Sequence, residues 1–213
     1  MSERTIVHLL RHGEVDNPTS ILYGRLPGYR LSDRGRSMAD VVADHLADRD
    51  VALVVASPLE RAQQTAAPIA ARHGLSILTD ERTIEAANHF QGTRFGHGKG
   101  SLRHPSNWPL LVNPFRPSWG EPYRAIATRM QAAVDGARAQ VPGHHAVIVS
   151  HQLPIWTLRS RLEHRPLWHD PRRRECALAS LTTLEYDGDH LLRIHYTEPA
   201  AALAVDANPT PGA

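Results

Sequence analysis

The chain has 213 residues, of which 41% are hydrophobic and 22% charged, so most of it is expected to fold around its own core. The formal net charge is only +2 and Cys176 is the sole cysteine, which excludes a disulfide framework. The apolar run at residues 6–10 is too short for a signal-peptide core or a membrane span. We therefore expect a soluble, cytoplasmic protein with no membrane partner.

Strand-like segments recur along the chain and alternate with helical patterns. Val51–Ala56 is apolar without alternation, which is typical of a strand buried on both faces. Asp187-Gly188 separates the last two segments and is a strong hairpin signal. The predicted strands cover residues 5–10, 51–56, 75–78, 145–149, 181–186 and 190–196.

Helical patterns fall between these strands, at residues 33–48, 57–73, 122–140 and 154–162. For the second helix, Ser57 is predicted to be the N-cap, with Pro58 at the first helical position and Glu60 completing a capping box. Gly74 suits the left-handed residue that ends this helix.

Strands separated by helices predict an α/β fold: a three-layer sandwich whose mainly parallel central sheet is covered by helices on both faces. We expect a single domain over residues 1–198. The long segment at about 86–120 is predicted to be an inserted, lid-like element. The Ala/Pro-rich tail at 199–213 is predicted to be disordered.

Chemically active side chains follow three of the predicted strands. Arg11 and His12 end the first strand, Arg61 lies in the helix after the second, and His151 follows the strand at 145–149. Ligands of such sheets bind beyond the carboxyl ends of the strands. A pocket with two guanidinium groups and two imidazoles is costly to assemble unless an anion occupies it. A phosphate monoester is an anion of suitable charge and shape.

Four blocks of sequence lie in order along the chain: Leu9-Leu10-Arg11-His12-Gly13-Glu14, Ser57-Pro58-Leu59-Glu60-Arg61-Ala62-Gln63-Gln64-Thr65-Ala66, Ile84-Glu85, and Val147-Ile148-Val149-Ser150-His151. Together they resemble the histidine phosphatase superfamily, which includes the cofactor-dependent phosphoglycerate mutases. The similarity extends over about residues 5–196. It implies a phosphoglycerate mutase-like fold.

The resemblance also implies catalytic roles. His12 would be the nucleophile that becomes phosphorylated, and Arg11, Arg61 and His151 would bind the phosphoryl oxygens. Glu85 would act as general acid and base. The chemistry agrees, because a neutral imidazole attacks phosphorus only if one ring nitrogen keeps its lone pair while the other donates to an acceptor. Fixed cationic donors would stabilise the charge on the equatorial oxygens.

Two further binding residues follow from the same resemblance. Asn17 would add a donor to the phosphoryl group, although it lies one place closer to His12 than in the usual mutase pattern. Gly24 would lie in the loop after the first strand, where the backbone can approach the phosphate.

Neither a metal nor a cofactor is expected, because arginines would supply the positive charge that magnesium gives many phosphoryl-transfer enzymes. The sequence has 14 histidines, but they form no His-Glu-x-x-His pattern, and a single cysteine cannot supply the cysteine pair of a structural zinc site.

The sequence after Glu85 favours hydrolysis. Phosphoglycerate mutases continue with a Glu-Arg-x-Tyr-Gly block, whereas residues 86–92 here read Ala-Ala-Asn-His-Phe-Gln-Gly. We therefore expect a phosphatase that acts on a small phosphorylated metabolite. Phosphoglycerate mutase-type transfer and a noncatalytic phospholigand-binding protein are the alternatives. The substrate and the oligomeric state stay open.

Basic residues in the segment at about 86–120 suggest contacts with the leaving group of a substrate: Arg94, Lys99, Arg103, His104 and Arg116. Aromatic residues of the same segment suggest packing of a lid: Trp108, Phe115 and Trp119. A second cluster, Arg172-Arg173-Arg174, is interpreted as a solvated turn. It has no accompanying aromatic pattern or recognition helix, so we expect no nucleic-acid partner.

Overall fold

The computed structural model describes residues 4–93 and 120–204. Its strands are β1 (Arg4–Arg11), β2 (Val51–Ala56), β3 (Ile77–Thr79), β4 (His145–Ser150), β5 (Leu181–Asp187) and β6 (His190–Thr197). Its α-helices are α1 (Asp33–Leu46), α2 (Glu60–His73), α3 (Tyr123–Gln140), α4 (Gln152–Leu162) and the short α5 (Ala201–Ala204). Across these parts of the chain, no helix combines the length and apolar character needed to cross a bilayer.

The six strands form one sheet in the order β3-β2-β4-β1-β5-β6. The pairs β1–β4, β2–β4 and β2–β3 are parallel, whereas β5 pairs antiparallel with both β1 and β6. The hairpin between β5 and β6 turns at Gly188, whose φ of +54° is a conformation that favours glycine. The mainly parallel sheet and the predicted hairpin are both confirmed.

Helices cover both faces of the sheet, as predicted. Side chains of α1 and α2, such as Met38 and Ile69, pack with Leu10 on one face. Side chains of α3 and α4, such as Met130, pack with Leu9 on the other. Neighbouring residues of β1 point to opposite faces because side chains alternate along a strand. The first strand therefore contributes to both layers of the core.

The predicted start of α2 was wrong. The helix begins at Glu60, and Leu59 is the N-cap without a side-chain hydrogen bond. The Ser57 hydroxyl instead lies within 2.8 Å of a ring nitrogen of His151. Gly74 ends the helix in the left-handed conformation, as expected.

The tail prediction was wrong at its beginning. Ala200 is buried in the core, and Ala201–Ala204 form α5, whose Leu203 packs against the same core. Residues 205–213 lie outside the described residues.

The predicted lid-like segment is described only at its two ends. Asn88 and Gly120 form an antiparallel bridge, and the Glu121 amide donates to the Ala87 carbonyl over 3.1 Å. These contacts hold the two ends side by side. The basic and aromatic residues named for this segment, from Arg94 to Trp119, lie outside the described residues.

Candidate active site

His12 lies one residue beyond β1, at the edge of the sheet where the parallel strands end. Its amide donates to the Ser150 carbonyl at the end of β4, and its own carbonyl accepts from the Ala179 amide. Gly13 follows in close contact with α1, because a Cβ there would lie 2.5 Å from the Gly35 carbonyl oxygen. The sheet and α1 therefore fix the backbone on both sides of the imidazole.

The tautomer of His12 follows from one hydrogen bond. Its Nδ1 lies 2.8 Å from the Gly13 carbonyl oxygen, which can only accept, so Nδ1 carries the proton. A neutral ring then keeps its lone pair on Nε2. Burial and the charges of Arg61 and Arg11 hold the pKa of His12 well below its ordinary value, against the effect of the Gly13 bond. The arrangement gives an uncharged imidazole with one nucleophilic nitrogen.

Arg11 and Arg61 bring two guanidinium groups toward this imidazole. Arg61 is 1% exposed, and its Nη2 donates to the Gly24 carbonyl over 2.7 Å. The Tyr23 ring covers its guanidinium, with 4.6 Å between Cζ and the ring centroid. Arg11 donates through Nη1 to the Cys176 carbonyl over 2.7 Å. Both side chains are thus held by neutral groups.

His151 lies beside His12, with 5.2 Å between the ring centroids. Its Nε2 is 2.8 Å from the Ser57 hydroxyl, which also accepts from the Leu59 amide at 3.4 Å. A hydroxyl oxygen has two lone pairs, so Ser57 can either donate to Nε2 or accept from it. A role for His151 as a donor to phosphoryl oxygens through Nδ1 requires the first arrangement, with the ring proton on Nδ1. Burial, together with Arg61 and His12, lowers the pKa of His151 and favours this neutral form.

Glu85 adds a buried carboxyl to the cluster formed by Arg11, His12, Arg61 and His151. Its Oε1 accepts from the Ala86 amide over 2.8 Å. Burial raises the pKa of the carboxyl, and the Ala86 bond and the nearby arginines oppose this effect only in part. A raised pKa favours a carboxylic acid that can give up its proton during a reaction.

The backbone of Glu85 is anchored from several sides. Arg25 donates through Nε to the Glu85 carbonyl over 2.6 Å, and its Nη2 pairs with Glu121 at 3.0 Å. Arg129 pairs with the other oxygen of Glu121 at 2.8 Å. The Ser150 hydroxyl donates to the Thr83 carbonyl, two residues before the acid. These contacts tie the acid to α3 and to the end of β4.

The two remaining predicted residues differ in placement. Gly24 has a φ of +44°, and its carbonyl contacts Arg61, so it lies directly beside the cluster. The side chain of Asn17 is engaged within its own loop, where it donates to the Ile21 carbonyl and accepts from the Ile21 amide. No hydrogen bond joins Asn17 to His12 within the described residues.

Four residues of the cluster each leave one buried polar atom without a hydrogen-bond partner in the described part of the chain. These atoms are Arg11 Nε, Arg61 Nε, Glu85 Oε2 and His151 Nδ1. A buried polar atom without a partner costs about 1–3 kcal/mol. A tetrahedral oxyanion with an ester oxygen would supply acceptors for the three nitrogens and a proton acceptor for the acid.

Sequence reasoning missed Arg174. We interpreted Arg172-Arg173-Arg174 as a solvated turn, and Arg172 is indeed exposed and paired with Asp170 at 2.7 Å. Arg174 is instead half-buried, and its charge is close enough to influence Glu85 and Arg11. It precedes β5, which pairs with β1 and brings this loop to the same edge of the sheet. No local motif in the sequence signals that return.

Comparison with known proteins places the chain in a family. A family model described as the histidine phosphatase superfamily, branch 1, matches residues 7–197. The uncharacterized protein Rv0525 of Mycobacterium tuberculosis is 62% identical over 201 residues, covering 94% of this chain and all of that protein. The probable phosphoglycerate mutase GpmB of Yersinia pestis is 30% identical over 186 residues, covering 84% of each chain.

A solved structure agrees with these sequence matches. The mycobacterial glucosyl-3-phosphoglycerate phosphatase Rv2419c superposes with a TM-score of 0.75 at 25% identity, covering 92% of this chain and 99% of that one. The fold, the ordered sequence blocks and these similarities lead to one assignment. The chain belongs to branch 1 of the histidine phosphatase superfamily.

Proposed function

We propose that this protein hydrolyses a small phosphomonoester through a covalent phosphohistidine on His12, without a metal ion or a cofactor. The observation that carries the proposal is the bond from His12 Nδ1 to the Gly13 carbonyl, at 2.8 Å. It leaves the Nε2 lone pair of a buried, neutral imidazole available for attack on phosphorus.

In the first step, His12 Nε2 forms a bond to phosphorus while the bond from phosphorus to the ester oxygen breaks. Arg11, Arg61 and His151 donate to the phosphoryl oxygens and stabilise the charge that spreads over them. Glu85 gives the proton on Oε2 to the leaving oxygen, because its other oxygen is occupied by the Ala86 amide. The products are an alcohol and phosphohistidine.

In the second step, water attacks phosphorus and the bond to Nε2 breaks. Glu85, now a carboxylate, accepts a proton from the attacking water. Inorganic phosphate leaves, and both the imidazole and the acid return to their starting protonation states. Glu85 gives up one proton in the first step and recovers one in the second, so the cycle consumes only the ester and one water molecule.

Hydrolysis is favoured over mutase transfer by the segment after the acid, which lacks the Glu-Arg-x-Tyr-Gly block. Gln91 of this segment accepts from the Arg25 amide over 2.7 Å and so supports the loop that carries Gly24. The similarity to a probable phosphoglycerate mutase keeps transfer as the second candidate.

The test is release of inorganic phosphate from an aryl phosphate and a panel of phosphorylated metabolites, assayed in excess chelator. We expect turnover by the full chain and none by His12→Ala. His190→Ala, an exposed histidine at the start of β6, is the control and should leave the rate unchanged.

Four results would contradict the proposal. Retained turnover by His12→Ala would exclude His12 as nucleophile, and loss of turnover in chelator would require a metal. Conversion of 3-phosphoglycerate to its 2-isomer without phosphate release would identify a mutase. Binding of phosphorylated ligands with no turnover of any would identify a noncatalytic protein.

A further inference from the structure

Glu85 lies on an irregular turn. Between the 3-10 helix Glu81–Thr83 and the bridge at Asn88, the chain follows neither a helix nor a strand. The carbonyls of such a turn must find donors outside a regular ladder, because buried backbone groups are costly to leave unpaired. The side chains that donate to this turn therefore help to set the position of the acid.

Two arginines donate to the turn. Arg25 Nε donates to the Glu85 carbonyl, and Arg129 Nη1 donates to the Arg82 carbonyl, each over 2.6 Å. Arg25 comes from the loop after β1, whereas Arg129 comes from α3. The turn is thus held by two elements that lie far apart in the sequence.

Glu121 joins these two arginines. Its Oε1 accepts from Arg129 Nε over 2.8 Å, and its Oε2 accepts from Arg129 Nη2 and from Arg25 Nη2, both over 3.0 Å. Its backbone amide donates to the Ala87 carbonyl over 3.1 Å, two residues after the acid. One residue therefore contacts the turn through its amide and orients both arginines through its carboxylate.

Charge and burial both make this carboxylate important. Arg25 and Arg129 are positively charged, and Glu121 pairs with both. Hydrogen bonds from a guanidinium to a carboxylate are roughly twice as strong as those between neutral groups. The side chains of Glu121 and Arg129 are only 17% and 16% exposed, so salt and water screen their pair weakly. Without the carboxylate the two guanidinium groups would repel each other, and Arg25, which is 34% exposed, would turn toward water.

We propose that Glu121 is a positioning residue: its carboxylate holds two arginines against the backbone of the turn and so keeps the Glu85 carboxyl directed at the leaving oxygen. Glu85 Oε2 is buried and has no hydrogen-bond partner within the described residues. The amide that binds its other oxygen, that of Ala86, belongs to the same turn. The direction of the carboxyl therefore depends on how the turn is held. The inference rests on the proposed phosphatase function, because it concerns the acid of that reaction.

The experiment compares kcat/KM for an alkyl phosphate and for an activated aryl phosphate in Glu121→Gln. Only the alkyl phosphate needs a proton from the acid, so a displaced acid should slow it selectively. We expect a loss of about ten- to hundredfold for the alkyl phosphate, since a misplacement of about 1 Å costs up to about a hundredfold. The aryl phosphate should change little.

Glu163→Gln is the matched control. Like Glu121, Glu163 is a half-buried carboxylate that pairs with two arginines, Arg159 over 2.9 Å and Arg165. It lies at the opposite end of α4 from His151 and does not belong to the turn of the acid. Its substitution should keep the parent ratio of the two rates.

Two further variants separate positioning from charge and from a general loss of stability. Arg25→Lys conserves every charge but lacks the planar fork that spans the Glu85 carbonyl and Glu121, so it should reproduce the selective loss. In a Glu85→Gln background, Glu121→Gln should cause no further change in the ratio, because Glu121 acts through the acid. Urea denaturation of each variant reports its stability.

The position of the acid also has a readout that needs no turnover. Burial raises the pKa of the Glu85 carboxyl, so a turn loosened by Arg25→Lys should admit water and lower that pKa toward its ordinary value. ¹³C NMR of labelled glutamate carboxyls, with the Glu85 signal assigned by its loss in Glu85→Gln, measures this change.

The positioning role is overturned if Glu121→Gln slows both substrates equally or slows neither, or if Glu163→Gln changes the ratio as much. It is also overturned if Arg25→Lys keeps the parent ratio, or if Glu121→Gln still changes the ratio in the Glu85→Gln background. Phosphate release by the parent separates the two proposals. Hydrolysis with an unchanged ratio and an unchanged Glu85 pKa removes the positioning role alone. A lowered pKa without hydrolysis of any substrate removes the phosphatase function and leaves the positioning of Glu85 in place.

Discussion

Ser57→Ala is expected to impair catalysis, although the proposed mechanism gives Ser57 no contact with the substrate. The hydroxyl is fully buried and lies 2.8 Å from His151 Nε2, to which it must donate if His151 is to offer Nδ1–H to a phosphoryl oxygen. Its removal leaves that nitrogen without a partner and frees the ring to move its proton from Nδ1 to Nε2. In that tautomer, Nδ1 would present a lone pair instead of a proton, and this lone pair would repel a phosphoryl oxygen.

The magnitude follows from the cost of leaving one buried polar atom unsatisfied. That cost is about 1–3 kcal/mol, which corresponds to a loss of about five- to 150-fold in kcat/KM if it falls on the transition state. Thr5→Val is the matched control, because it removes a buried hydroxyl that accepts from the Gly143 amide over 2.9 Å, at the opposite end of β1. It should lower stability and leave kcat/KM unchanged.

Two measurements test this reasoning. Steady-state kinetics on an aryl phosphate gives the change in kcat/KM, and ¹⁵N NMR of the ring nitrogens reports the tautomer of His151. We expect the Nδ1–H form in the parent and its loss in Ser57→Ala. A Ser57→Ala enzyme with the kinetics of Thr5→Val, or a parent ring protonated on Nε2, would refute the tautomer argument.

Three further substitutions test other parts of the site and the fold. Glu85→Gln should slow alkyl phosphates by about a hundredfold or more but activated aryl phosphates much less, because only the former need a proton donor; equal slowing of both would contradict this role. Gly24→Ala should lower the free energy of unfolding by about 1–2 kcal/mol in urea denaturation, because φ is +44° and the new Cβ would lie 2.6 Å from Gln91 Oε1. An unchanged denaturation midpoint would contradict this prediction. Burial, and after it the charge of His145, lowers the pKa of His8 from 6.5 to about 3. His8 therefore contributes to the stability of the fold above pH 6.5, the pKa in the unfolded chain, and this contribution is lost as the pH falls below that value. At pH 5 the loss is about 2 kcal/mol, and His8→Asn should show a smaller drop in stability between pH 7 and pH 5; an identical drop would contradict the assignment.

The parts of the fold that could be predicted from the sequence are those governed by local pattern. Unbroken apolar runs such as Val51–Ala56 mark buried strands, and the spacing of Met38 and Val42 marks a helix packed on the sheet. Parallel strands end at one edge, so His12 and His151 were expected to meet although they lie far apart in sequence. Their rings are 5.2 Å apart.

The failures arise where a tertiary contact competes with a local signal. Ser57 matches a helix cap in sequence, but the imidazole of His151 takes its hydroxyl and the helix begins later, at Glu60. Asn17 bonds within its own loop. Arg174 looks like part of a charged turn, and only the pairing of β5 with β1 brings it toward the site. None of these outcomes is encoded in neighbouring residues.

The proposed mechanism depends on a phosphoryl group carried covalently on His12 Nε2. Rapid quenching of the full chain during turnover of an aryl phosphate, followed by mass spectrometry of its peptides, tests it directly. We predict one phosphoryl group on the peptide containing His12, labile to acid and stable to base, and absent from His12→Ala. Continued turnover with no phosphoryl group on that peptide, or with the group on another residue, would exclude His12 as the covalent carrier.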